Sequence, residues 1–196
     1  TITAITDSAA MTGYDRVWKL NRADIDSFIV AFANGSVTAN TYTPPSDLLT
    51  WPANGSLNKA RQLAPYADIN NNGVYDPLTG GDYPLIKGDQ MIYYICNDNA
   101  DVHMETGAPG FGIEMHVSAY AYNCPSILEN YPQLNHTTFY HYRIINRSNT
   151  RFTDVVAAIW SDIDVGYFKN DYIGCDTSAQ IGYAYNAFSV DGSYGY

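Results

Sequence analysis

Apolar residues at every second position are the feature that most constrains the fold of this chain. In residues 112–123, GIEMHVSAYAYN, the apolar side chains run through the odd positions from Ile113 to Ala121, whereas Glu114, His116 and three further polar or aromatic residues take the even positions. Successive side chains of a β-strand point to opposite faces, so this period predicts a strand with one apolar face.

Four further runs resemble strands and have turn residues between them. They are residues 90–98 (QMIYYICND), 136–148 (HTTFYHYRIINRS), 153–164 (TDVVAAIWSDID) and 181–192 (IGYAYNAFSVDG). Five such candidates predict a mainly β fold, an antiparallel β-sandwich or jelly-roll-like domain. The 18 tyrosines suit half-exposed sheet faces, which accommodate both an apolar ring and a wet hydroxyl.

The N-terminal residues 1–13 predict an extended β arm ahead of a single domain at residues 14–196. The arm opens with TITAIT, and no hairpin partner follows it. Its residues Ile2, Ala4 and Ile5 therefore form either an edge strand of this domain or a strand that docks on another molecule.

One or two short helices are expected before the strands. Residues 21–35, NRADIDSFIVAFANG, carry an apolar face, with Asn21 as the N-cap and Asn34-Gly35 as the stop signal. A second helix is possible at residues 56–65, SLNKARQLAP, before Pro65.

The loop DINNNGVYDPLTGGDYPLIKGDQ, residues 68–90, has the spacing of a calcium-binding loop. Calcium takes oxygen ligands from alternate positions around a glycine that permits a sharp turn. Gly73 is the sixth residue of this loop, and Asp82 replaces the acidic residue expected at position twelve. The predicted ligands are Asp68, Asn70, Asn72, the carbonyl of Val74, Asp76 and Asp82. An Asn- and Gly-rich turn without a metal is the alternative.

A second acidic group suggests a second Ca²⁺ ion. It consists of Asp162, Asp164, Asp171 and Asp176. Four nearby carboxylates repel each other unless a cation neutralises them, or unless they point apart into water.

Composition excludes several classes of protein. A formal charge of −10 argues against nucleic-acid partners, which select basic surfaces. No stretch approaches the roughly 20 apolar residues that span a bilayer. Of the three cysteines, Cys96 and Cys124 each follow a strand-like run and are the best candidates for a disulfide, the alternative being three unpaired thiols.

Catalytic signals are few. Glu114, His116, His141 and Arg143 can converge on the less apolar face of the sheet as acid–base groups, although surface histidines give the same pattern. No nucleophile elbow, zinc motif or phosphate loop is present in the sequence. We therefore expect a non-enzymatic protein.

Candidate glycosylation sites are of two kinds. N-x-S/T triplets occur at Asn34, Asn54, Asn135 and Asn146. The triplet Asp7-Ser8-Ala9 resembles the O-glycosylation signal of Bacteroidota, with Ser8 as the acceptor.

Five blocks of the chain resemble large secreted Bacteroidota proteins, a largely uncharacterised class that commonly carries a C-terminal sorting domain for type IX secretion. The blocks are YDRVWKLNRADID, TPPSDLLTWPANG, DINNNGVYDPLTGGDYPLIKGDQ, TTFYHYRIINRS and IWSDIDVGYFKNDYIGCD, spanning about Tyr14 to Asn186 in the order of that class. The resemblance implies an extracellular or surface-attached protein in a calcium-rich compartment, with both acidic groups inside shared blocks.

These observations favour three functions, in descending order. The first is a calcium-stabilised, glycosylated structural subunit of an extracellular filament or surface layer, which polymerises with itself by adding its N-terminal strand to a neighbour. The second is a secreted carbohydrate-binding or adhesin module with glycans as partners. The third is a calcium-dependent hydrolase that uses Glu114 and His116 or the Asp162 group.

Overall fold

The computed structural model describes residues 12–55, 60–99, 102–124 and 132–189. The chain divides into two compact units, residues 1–151 and residues 152–196, and each is described by itself. The arm residues Ile2, Ala4 and Ile5, and Ser8, lie outside the described residues. Among the described residues, no helix has the length and apolar character that crossing a membrane requires.

The structure is mainly β, with antiparallel sheets and few short helices, as the sequence predicts. A 3₁₀ helix at Pro132–His136 precedes β6. The other elements in chain order are β1 (Trp18–Asn21), α1 (Arg22–Ala33), α2 (Ser46–Leu49), β2 (Tyr66–Ala67), α3 (Pro77–Gly80), β3 (Tyr83–Pro84), β4 (Gln90–Asn97), β5 (Ile113–Ala121), β6 (Phe139–Asn146), β7 (Asp171–Asp176) and β8 (Ile181–Asn186).

A four-stranded sheet in the order β1-β4-β5-β6 organises the first unit. The pairs are antiparallel, and the register places Tyr93 opposite Trp18 on one side and Ser118 on the other. Because β4, β5 and β6 are the three most regular alternating runs, period-two patterning predicts them correctly. The sheet therefore has two distinct faces.

The core lies on one face of the sheet, over β1 and β4. Trp18 and Tyr93 are 2% exposed there, and they pack with buried residues of α1 and of the segment that follows it. Those residues are Ile25, Phe28, Ala31, Leu48 and Trp51. The helix at residues 21–35 is confirmed, since it ends at Asn34 and Gly35 has a φ of +81°.

Two predicted elements differ from the structure. Residues 60–65 contain no helix, and residues 153–164 contain no strand. In that second stretch, Val156, Ile159 and Trp160 are 88–89% exposed. A strand needs a partner for its backbone groups, and in the described part of the second unit only β7 and β8 pair.

Candidate functional site

The predicted calcium loop connects β2 to β3 and has the backbone turn that the motif requires. Gly73 adopts a φ of +74°, a conformation that glycine tolerates best. The Asp68 carboxylate accepts hydrogen bonds from the N–H groups of Asn72, at 3.1 Å, and Gly73, at 2.8 Å. The loop thus folds over its first acidic residue.

Asp76 gathers the other polar side chains of the loop. The amide nitrogens of Asn70 and Asn72 each lie 3.3 Å from its carboxylate, and the Thr79 hydroxyl donates to it at 3.0 Å. Gly80 is needed beside this group, because a Cβ there would come within 2.0 Å of Asp76 Oδ1. The amide nitrogens of Asn70 and Asn72 therefore face Asp76, while their oxygens accept the N–H groups of Asn72 and Val74.

Asp82 supports the loop from the interior. Its side chain is fully buried, and its two oxygens accept the N–H groups of Ile69, at 2.8 Å, and Asp76, at 3.1 Å. Desolvation by burial raises the pKa of Asp82, and the two N–H donors only partly oppose that shift. The structure thus gives Asp82 a bracing position between the two ends of the loop.

The loop is anchored to the rest of the first unit by Asn54 and Tyr75. Asn54 Oδ1 accepts from the Tyr75 N–H, and Tyr75 Oη donates to the Leu48 carbonyl at 2.7 Å. Burial raises the pKa of Tyr75, so this hydroxyl remains a donor. The side-chain bridge from Asn54 was not anticipated, because it depends on a contact 21 residues away.

The donor set fits a hard cation, since carboxylate, amide and carbonyl oxygens are the ligands that calcium prefers. Within the described ranges, no three His, Cys, Asp or Glu side chains form a metal-holding group, although Asp68, Asp76 and Asp82 all belong to this loop. The oxygens of Asp68 and Asp82 accept backbone N–H groups instead. The calcium site stays a prediction.

The second acidic group is spread out in the second unit. Asp171 and Asp176 stand at opposite ends of β7, which places them about 17 Å apart, too far to share one ion. Asp171 accepts the Val165 N–H at 3.0 Å. Asp162 and Asp164 are exposed.

Asp176 closes the β7–β8 turn. Its Oδ1 accepts the Ser178 hydroxyl at 2.6 Å and the N–H groups of Ser178 and Ala179. These hydrogen bonds, the Ser178 hydroxyl first, lower the pKa of Asp176. The residue has a local role that explains its position without a metal.

A polar network lies on the core face of the sheet, at the β5 end that the sequence singled out. Tyr93 Oη is 2.7 Å from His116 Nδ1, and His116 Nε2 is 2.7 Å from Glu114 Oε1. The Arg147 guanidinium donates to the same oxygen at 2.6 Å. With the imidazole proton on Nε2, every contact pairs a donor with an acceptor.

Burial restricts the chemistry of this network. His116 is 3% exposed and Tyr93 2%, so neither reaches solvent. Burial raises the pKa of Tyr93, with a smaller opposing effect from Arg143. Desolvation also raises the pKa of Glu114, but the hydrogen bonds and charges of His116 and Arg147 outweigh it and leave that pKa lowered. The arrangement ties β4 and β5 to the residue that follows β6 and gives a substrate no access to the imidazole.

The sequence located only part of this network. Alternation puts Glu114 and His116 on one face, and the register sets Arg143 directly opposite His116 and His141 opposite Ser118. His141 and Arg143 are nevertheless exposed, and Arg147 supplies the cation instead. Arg147 lies one residue beyond β6, where periodicity predicts nothing.

The N-x-S/T sites differ in how their amides are engaged. Three Asn side chains donate to backbone carbonyls: Asn54 to Arg61, Asn135 to Cys124 and Asn146 to Thr150. The Asn34 side chain instead accepts hydrogen bonds, since its Oδ1 accepts from the N–H and the hydroxyl of Ser36. Glycosylation at these sites stays a prediction.

The predicted disulfide between Cys96 and Cys124 is wrong, since both thiols are free. Cys96 pairs with Met115, whereas Cys124 lies beyond Ala121, which pairs with Gln90 at the other end of β4. Six residues of strand, about 20 Å, separate the two ends, and a disulfide joins Cα atoms less than about 7 Å apart. Cys175, in the second unit, is exposed and also free.

No protein-family model, no curated protein and no solved structure matches this chain. The resemblance to secreted Bacteroidota proteins stays a prediction.

Proposed function

We propose that this chain is a non-enzymatic structural subunit of an extracellular filament or surface layer, joined to its neighbours by β-strand addition. The observation that carries this proposal is the outer edge of β6. This eight-residue strand ends the sheet, and within the described ranges no strand pairs with its outer side. An unpaired edge offers a row of backbone donors and acceptors to an incoming strand.

The incoming strand in this proposal is the N-terminal arm of a neighbouring copy. Ile2, Ala4 and Ile5 belong to a β-prone run, and main-chain hydrogen bonds supply affinity in strand addition. A contact from the arm of one copy to the edge of the next is head-to-tail, so it propagates into a fibre instead of closing.

Calcium supports the subunit in this proposal through the loop of Asp68, Asn70, Asn72, Val74, Asp76 and Asp82. The loop is bonded through Tyr75 to α2, so an ion there strengthens the packing of that helix. Extracellular calcium is plentiful enough for a site of modest affinity. Glycosylation and an extracellular or surface location belong to the same proposal.

The direct test compares the full chain with a variant that lacks residues 1–9, using negative-stain electron microscopy and sedimentation velocity. We expect filaments from the full chain and folded monomers from the shortened chain. A synthetic peptide of residues 1–9 should bind the shortened chain, and a scrambled peptide of the same composition should not. Filaments that persist without the arm would overturn the proposal.

A further inference from the structure

We propose that the face of the sheet opposite the core binds a neutral polysaccharide chain, with Tyr140 and Tyr142 as the rings on which its sugars stack. This inference goes beyond the structural role above and does not rest on it, because strand addition occupies the β6 edge and leaves the face of the sheet free.

The tyrosine face, as we name it, is a grid of nine residues centred on Val117. It consists of alternate positions from Ile92 to Cys96 on β4, from Met115 to Ala119 on β5 and from Tyr140 to Ile144 on β6. Every residue in the grid is uncharged, although the chain carries a formal charge of −10. The nearest charge on this face is Lys19 of β1, which pairs with Ile92 at the side of the grid farthest from β6. A neutral ligand on Tyr140 and Tyr142 therefore meets no charge inside the grid.

Two tyrosine rings present parallel faces on this grid. Tyr140 and Tyr142 have ring planes within 14° of each other and centroids 6.4 Å apart, and they are 61% and 48% exposed. Consecutive sugars of one chain can cover two such rings, because the C–H face of a sugar ring packs on an aromatic face while its hydroxyls hydrogen-bond to tyrosine hydroxyls.

The residues paired across the three strands at Val117 support the tyrosine rings. Val117 lies between Tyr94 and Tyr142 in the register and is only 1% exposed, so the side chains around it form a packed floor. Desolvation raises the pKa of Tyr94, and Cys96, Tyr142 and Tyr140 add to that shift. Tyr94, which is half-buried, is part of this floor.

The size of the tyrosine face favours a glycan over a second copy of the chain. Three strands about 4.8 Å apart and three alternate residues about 6.8 Å apart along each strand give roughly 300 Å². A stable protein dimer needs about 800 Å² from each partner. The same area is enough for a few sugar rings, which need far less than a folded partner.

Two further aromatic residues, Tyr120 and Tyr122, lie on the other face. Tyr120 stacks on Phe139 with centroids 5.4 Å apart and packs against the core, and Tyr122 meets both rings edge-on. These rings are engaged with each other. Tyr122, at 40% exposure, is therefore a matched control on the same sheet.

The test titrates the full chain with cellohexaose and chitohexaose by calorimetry. We expect binding to at least one of these oligosaccharides, weakened about tenfold or more by either Tyr140→Ala or Tyr142→Ala. Tyr140→Phe keeps its ring and should change affinity by no more than about twofold. Tyr122→Ala should leave binding unchanged.

Three results would overturn the inference: no binding of either oligosaccharide, binding lost in Tyr122→Ala but kept in the Tyr140 and Tyr142 variants, or self-association lost in Tyr140→Ala without any glycan effect. Since Tyr142 flanks the buried Val117, circular dichroism checks its variant for folding. Tyr140→Ala and Tyr140→Phe carry the test if that variant does not fold.

Discussion

At one edge of the four-stranded sheet, the Asp47 carboxylate accepts the Lys19 N–H at 2.9 Å and pairs with Arg16, while the Trp18 indole donates to the Thr50 carbonyl at 2.8 Å. At the other edge, Tyr140, Tyr142 and Ile144 of β6 are 48–61% exposed, and no described strand lies alongside. Within the described residues, one edge is covered by the Asp47 side chain of α2 and by the bond from Trp18 to Thr50, and the other is open over the eight residues of β6.

The difference means that the two edges of this sheet are not equally available to a further strand. Proteins commonly protect sheet edges by covering them or by placing charge on them, because an exposed edge recruits other strands. Side chains cover β1, which is four residues long, and in the part of the chain that the structure describes the longer β6 has no strand on its outer side. In the proposed assembly, the incoming strand joins the β6 edge and not the β1 edge.

The largest expected effect comes from a substitution at the closed edge. Trp18→Ala should lower the free energy of unfolding by about 3–5 kcal/mol, because it leaves a cavity and an unpaired Thr50 carbonyl. Tyr140→Ala on the open edge should change it by no more than about 0.5 kcal/mol. Both changes in the free energy of unfolding are measured by urea unfolding, with each substitution made in the variant that lacks residues 1–9. Equal decreases for the two substitutions would contradict the contrast between the edges.

Asp47→Ala should sharpen the comparison by uncovering β1. Loss of a charge-assisted bond to the Lys19 N–H costs about 1.5–3 kcal/mol, and hydrogen exchange at that amide should accelerate. Asp26→Ala, which removes an exposed carboxylate from α1, is the control and should leave the amide rate unchanged. A slow Lys19 amide in Asp47→Ala would show that other contacts close this edge.

Calcium should act on the closed edge and not on the open one. The loop reaches α2 through Tyr75 and Leu48, and α2 contributes Asp47. Saturating calcium should raise the free energy of unfolding by about 1–2 kcal/mol and slow exchange near β1, with β6 unaffected. Asp68→Ala should abolish the gain, whereas Asp26→Ala should retain it. Equal gains in both variants would place the ion elsewhere.

The smallest effect concerns the network that holds the end of β6. Folding lowers the pKa of Glu114, so the ionised side chain stabilises the folded state. This contribution to the free energy of unfolding is fully present above about pH 4.5 and is lost as the pH falls through the folded pKa. Glu114→Gln should lower the free energy of unfolding by about 1 kcal/mol at pH 7. The difference in this free energy between the variant and the wild type should become smaller toward pH 3. Thermal unfolding across that range measures it. A gap that widens on acidification would reverse the assigned sign.

Sequence patterning predicted the parts of this molecule that are local. Regular alternation located β4, β5 and β6, and the N-cap and stop signals located α1. The β1 strand was missed because WKLN is too short to show a period. The β7 strand was missed because its terminal Asp171 and Asp176 were assigned to the second acidic group. Whether such a short segment forms a strand depends on its pairing with a neighbouring strand and not on its own sequence pattern.

Features that depend on register or distant contacts were beyond the sequence. The Cys96–Cys124 pairing failed because antiparallel register sends the two ends apart. The Asp68 loop could be predicted as a turn, since its glycine and acidic residues follow a local spacing, but the buried position of Asp82 depends on the fold around it. Exposure of residues 155–160 likewise reflects the absence of a described partner strand.

Hydrogen exchange along β6 tests the central claim most directly. Exchange is followed by mass spectrometry in the full chain and in the variant lacking residues 1–9, under conditions where the full chain assembles. Our account predicts that β6 amides exchange about tenfold or more slowly in the full chain, while β4 amides are unchanged. Equal β6 rates in the two proteins would contradict the account, because the open edge would then accept no strand from the arm.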